Sequence, residues 1–205
     1  MKLTAMTLVM AAAAGAHMKV PQTSDGHMLT AYLVDRRSSH DSQLGNAEQM
    51  AVEMFATVGV RLQWRHHAPA VGPAPADMAV VVELIEGAPA DQKPGVLAYA
   101  REYEGIHLTI FYDRVKALDP VWPTAVLAHV MVHEITHLLQ GVCRHSETGV
   151  MKPKFNRADV VAMRRATLGF AEEDRLFIDL GIARRTGVAA EMAAPSAEQG
   201  LSAAH

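Results

Sequence analysis

Cysteine is almost absent from this chain: Cys143 is the only thiol in 205 residues. A lone thiol excludes an intrachain disulfide scaffold, a cysteine-rich zinc finger and a CxxC redox pair. A basic excess is also missing. The 19 Lys+Arg are outnumbered by 22 Asp+Glu, giving a formal charge of -3 and a pI near 6.4. That balance argues against a nucleic-acid partner, which a basic footprint would announce. No internal repeat and no membrane-spanning run is visible. What the chain does have is a hydrophobic half (50%), enough for one globular domain with a sizeable core. It also has 11 histidines, and four of them fall from His129 to His145.

The two ends differ from the body. Met1-Lys2 followed by an apolar run from Leu3 to Ala14, then Ala14-Gly15-Ala16, matches an export signal with a small-x-small cleavage site. About a dozen apolar residues are too few to span a bilayer as a helix. Residues 1–16 therefore read as a signal peptide, predicting a secreted or periplasmic protein without a membrane anchor. Residues 17–28 read as a short N-terminal segment, 29–185 as the folded domain and 186–205 as a frayed tail rich in Ala, Ser, Glu and Gln.

Within the body the pattern alternates between strand and helix. Leu29 to Val34 reads as a strand. Ala47, Met50, Ala51, Met54, Phe55 and Val58 recur at helical spacing, and Gly59 stands where that helix would stop. Val60, Leu62 and Trp64 alternate with Arg61, Gln63 and Arg65 as in a half-buried strand. His66-His67 and the Pro-rich stretch through Pro69, Pro73 and Pro75 read as a loop. Met78 to Ile85 has the continuous apolar character of a central strand. Val96 to Tyr103 predicts an edge strand, and Ile106 to Tyr112 another strand. Asp119-Pro120 resembles an N-cap and first-turn proline for a nearly all-apolar helix running to Gln140. Asn156 would cap a helix to Arg165, and Glu172 to Arg184 predicts a last one. This order implies an α/β (α+β) fold, with a mixed sheet packed on a buried helix and helices at the C-terminal end.

The buried helix carries His133-Glu134-Ile135-Thr136-His137, an HExxH motif. Residues four apart on a helix lie about 6 Å apart along the axis and about 40° apart around it. Two imidazoles so placed can converge on one Zn²⁺. Glu134 is turned about 100° from His133, off the metal but within reach of a water it activates. A carboxylate on a buried helix needs such a purpose or a dedicated partner. His129, one turn earlier, stands about 12 Å along the axis from His137, too far to share the ion. It reads as a buried histidine bonded to a neighbour. The third ligand must come from beyond the helix. Gly141 can end the helix with positive φ and turn the chain back, bringing His145 round.

HExxH, a glycine turn, a further histidine and then Met151 resemble the metzincin clan of zinc peptidases. There the pattern is HExxHxxGxxH followed by a Met-turn. The resemblance implies His133, His137 and His145 as zinc ligands, Glu134 as general base and Met151 as the Met-turn residue. It also implies a peptide or protein substrate lying extended along the edge strand. The motif here is lengthened to HExxHxxxGxxxH, with one extra residue on each side of Gly141. No tyrosine follows Met151, where Lys152 and Pro153 stand instead, so the oxyanion donor is open among Lys152, Arg144 and Tyr112. Cys143 reads as a small residue near the helix end, although a thiolate could ligate zinc.

The expected activity is that of a zinc metalloendopeptidase using a Glu-activated water, working as a monomer. Two alternatives stand beside it. One is a gluzincin-type peptidase whose third ligand is a later acid, Glu172, Glu173 or Asp159. The other is an exported zinc-binding module without catalysis.

Overall fold

The computed structural model describes residues 26–38, 43–67, 78–101 and 106–187. The export-signal run, residues 17–25, the proline-rich loop, the expected end of the edge strand at Tyr103 and residues 188–205 lie outside the described residues. A five-stranded sheet has the order β2-β1-β3-β5-β4. Its strands are β1 (His27–Asp35), β2 (Val60–Arg65), β3 (Ala79–Ile85), β4 (Ala98–Arg101) and β5 (His107–Phe111). The helices are α1 (Gln43–Ala56), α2 (Tyr112–Leu118), α3 (Pro123–Gln140), α4 (Arg157–Met163) and α5 (Glu172–Arg185). No helix among the described residues is long and apolar enough to cross a membrane.

β1, α1 and β2 form a βαβ unit, because parallel strands need a crossover and α1 supplies it. Gly59, at φ 74°, makes the left-handed turn from α1 into β2. Along β1, Leu29, Ala31 and Leu33 are buried and alternate with more exposed neighbours. β3 lies between β1 and β5, parallel to both, and is buried on both faces from Ala79 to Val82. The expected central position of this strand is therefore observed. Among the described residues, β4 alone runs antiparallel, pairing only with β5 at the sheet's edge. It begins at Ala98 rather than Val96.

α3 packs against α1, α2, α4, α5 and the β3-β5-β4 half of the sheet. That encirclement explains its composition: a helix apolar on every side is one buried on every side. Its start differs from the expectation. Pro123, not Pro120, is the first-turn proline, and Trp122 is the N-cap, without a side-chain cap bond. Asp119 instead accepts hydrogen bonds from the Val121 and Trp122 amides (3.2 and 2.9 Å) and from both Nε and Nη2 of Arg164 (2.6 Å each). The Arg164 guanidinium, assisted by these amides, holds the buried Asp119 carboxyl below the usual carboxylate range. Asp119 thus ties the approach to α3 to the end of α4. α2 was not expected. Tyr112 opens this helix instead of closing the strand, and Tyr112 and Val115 supply its buried face. The Asn156 cap is as expected, made reciprocal by Asp159 in a capping box.

Candidate metal centre

α3 presents His133, Glu134 and His137 to a cleft of about 690 Å³. One wall is the edge strand, through Ala98, Tyr99 and Ala100; another is the stretch from Lys152 to Phe155. Gly141 closes α3 with φ 65°, and its amide donates to the His137 carbonyl (2.9 Å). Only a residue tolerant of positive φ ends a helix this way. The chain then returns, and His145 arrives against the two helix imidazoles. Ring centroids lie 4.7 Å apart for His133–His137, 5.3 Å for His133–His145 and 4.9 Å for His137–His145.

One ligand nitrogen from each ring lies within 4.8 Å of the others. Among the described residues this is the group of three His, Cys, Asp or Glu side chains that could hold a metal ion. His133 and His137 bring their Nε2 atoms within 3.0 Å. A tetrahedral zinc bound at about 2.0–2.1 Å would hold two such nitrogens about 3.3 Å apart. His133 Nδ1 lies 2.8 Å from the Val150 carbonyl. That acceptor assigns the proton to Nδ1 and leaves the Nε2 lone pair facing the cluster. His137 Nδ1 is buried without a hydrogen-bond partner of ordinary geometry, although the Val142 carbonyl favours a proton on that ring.

Burial drives both helix histidines to the neutral form. For His133 it outweighs the Val150 carbonyl, and with the His145 charge nearby the pKa falls to about 4. For His137 burial acts together with His133 and His145, and the pKa falls to about 3. Neutral imidazoles are the form that ligates metal. The Nε2 lone pair of His133, the neutral helix imidazoles and the spacing of all three rings fit a zinc ion held by these residues.

The other residues singled out by the sequence divide clearly. Glu134 is half-buried, lines the same cleft and stands outside the three-histidine group. Met151 is fully buried; its carbonyl accepts from the Ser146 amide (2.9 Å), closing the turn that follows His145. Cys143 is exposed and also lines the cleft. Of the three oxyanion possibilities, only Lys152 lines the cleft, and its ammonium is bonded to Asp159 (2.7 and 2.8 Å). Tyr112 is buried beneath the Arg37 guanidinium, and Arg144 pairs with Glu173 and Asp174. The acids considered as third ligands are occupied differently. Asp159 serves the α4 cap and Lys152, Glu173 serves Arg144, and Glu172 is exposed at the start of α5.

His129 is the buried structural histidine anticipated. Its Nδ1 bonds the Ala125 carbonyl (2.6 Å), and its Nε2 accepts from the Leu168 amide (2.9 Å). Burial lowers its pKa. The unfolded chain then takes up a proton below about pH 6.5 that the folded chain refuses. Stability present above pH 6.5 is therefore lost as pH falls, by at most about 1.4 kcal/mol per pH unit from this residue. Urea melts of the chelator-treated protein at pH 7.5 and 5.5 should show the loss. His129→Gln, lacking this titration, should show a smaller pH dependence.

The architecture and the centre together define a mixed α/β domain with a three-histidine group built from its central helix and the loop that follows it. A solved structure shares that fold: archaemetzincin from Methanopyrus kandleri superposes with a TM-score of 0.54 at 18% identity, over 80% of this chain and 100% of that one. A zinc-dependent peptidase from Methanocorpusculum labreanum overlaps more loosely, with a TM-score of 0.46 at 15% identity over 72% of this chain and 99% of that one. No protein-family model matches the sequence, and no curated protein matches it.

Proposed function

We propose that this chain is an exported zinc metalloendopeptidase, with His133, His137 and His145 as ligands and Glu134 as general base. The observation that carries the reading is the convergence of three imidazoles on one cleft with a carboxylate beside them. The archaemetzincin-like fold supports it. Zinc would supply Lewis-acid activation of water and of the scissile carbonyl. Glu134 would take the proton of the attacking water and pass it to the leaving amine. Met151, buried in the turn after His145, would take the Met-turn role by resemblance to metzincins. The substrate would lie against β4, whose residues line the cleft and which, among the described residues, has β5 as its single neighbour in the sheet. An extended peptide can add to such an edge through main-chain hydrogen bonds. The N-terminal apolar run and its small-x-small end support export.

Metal analysis of the purified chain beside His145→Ala tests the centre. The wild type should carry a single zinc and cleave an unstructured protein such as casein; His145→Ala should lose most of the metal and the activity. Zinc retained in His145→Ala but lost in Glu172→Ala would overturn the ligand set.

A further inference from the structure

His145 reaches the centre from an irregular loop, and its own side chain is exposed. Its ring packs on His133 (5.3 Å) and His137 (4.9 Å), but the loop that carries it is lengthened. Fixing a loop residue costs backbone entropy, before any side-chain term. A further restraint lies in its two neighbours. Arg144 Nη1 donates to Asp174 Oδ1 at 2.7 Å, and Ser146 Oγ donates to the same oxygen at 2.5 Å. The other oxygen, Asp174 Oδ2, accepts from the Ala171 amide at 2.9 Å, anchoring the carboxylate to the first turn of α5. Asp174 has no exposed surface and Ser146 is nearly as buried. Arg144 is held further by Glu173 (2.8 Å) and by the face of Phe177 (4.6 Å). On the far side, the Ser146 amide closes the turn onto the Met151 carbonyl.

We infer that Asp174 is a positioning residue, whose carboxylate grips Arg144 and Ser146 on either side of His145 and so holds that imidazole at the metal. This rests on the reading of His145 as third ligand. It also explains how a motif with one extra residue on each side of Gly141 can still close: the slack is taken up by a strap to α5. The amide cap on Ala171 alone would not need the other oxygen, which is turned to the loop.

The test is a double-mutant cycle read as zinc affinity, by competition with a chromophoric chelator. Asp174→Asn should weaken zinc binding about 10- to 100-fold, the range usual for partners that orient a ligand. In a His145→Ala background the same substitution should change affinity little, because no third imidazole remains to be positioned. An equal loss in both backgrounds would mean that Asp174 acts through general stability, and an unchanged affinity would remove its role; either overturns the inference. Absence of zinc from the wild type, or an unaltered affinity in His145→Ala, would instead overturn the ligand assignment beneath it. Should Asp174→Asn fail to fold by circular dichroism, Ser146→Ala carries the same cycle, since it removes one grip and leaves the carboxylate with Arg144.

Discussion

Glu134→Gln is expected to leave zinc bound and to lower the rate of casein hydrolysis by about 10²–10⁴-fold, the usual contribution of a positioned general base. The amide keeps the shape and half-buried setting of the carboxylate but cannot accept the water's proton. Because Glu134 stands outside the three-histidine group, the metal should be indifferent to the change. The pairing of results is what matters. Lost hydrolysis with retained zinc assigns Glu134 to proton transfer. Lost zinc would make it a ligand or a structural support of one. Unchanged hydrolysis would remove it from the reaction, and no cleavage by the wild type across a broad peptide library would favour the non-catalytic zinc-binding module.

Much of the fold was legible because its elements advertise their period. α1 shows its buried stripe through Ala47, Ala51, Met54 and Phe55, and β1 its alternation through Leu29, Ala31 and Leu33. The proximity of His133 and His137 was legible for the same reason, since four residues of helix fix it. The elements misread are short or non-local. α2, with seven residues, offers too few turns to separate helix from the end of β5. Asp119-Pro120 has the local signature of a helix start, but Asp119 is claimed by Arg164, 45 residues away. Likewise the sequence could place His145 beyond a glycine turn, yet could not say what keeps it there. Asp174 lies 30 residues beyond Arg144, and no periodicity links them. The signals fail where tertiary pairing overrides local preference.

Gly181→Ala is expected to destabilise the protein by about 3 kcal/mol, because α5 crosses the end of α3 with no room for a methyl group. A Cβ on Gly181 would stand 1.9 Å from the Leu139 carbonyl oxygen and 2.8 Å from its carbon. Both are backbone atoms, so no side chain can swing aside. The close approach serves the carbonyls that end α3, which have no partners within the helix. His137 receives the Gly141 amide, Leu138 receives Arg185 Nη2 at 2.5 Å and Gln140 receives Arg184 Nη2 at 2.7 Å. The Leu139 carbonyl faces Gly181 itself. Separating the helices would strain the arginine bonds as well as the apolar contact of Ile178 and Ile182, both buried on α5. Ala is the better helix former by about 1 kcal/mol, which the clash exceeds. Gly45, in α1, supplies the control, since a Cβ there meets nothing within 4 Å. Gly45→Ala should therefore stabilise by about 0.5–1 kcal/mol. Thermal melts should separate the two, with Gly181→Ala lowering Tm by roughly 6–12 °C and Gly45→Ala raising it by a few degrees. A Gly181→Ala protein that melts no lower than wild type would mean that α3 and α5 do not approach this closely, and the seat of Asp174 beside the metal loop would lose its foundation.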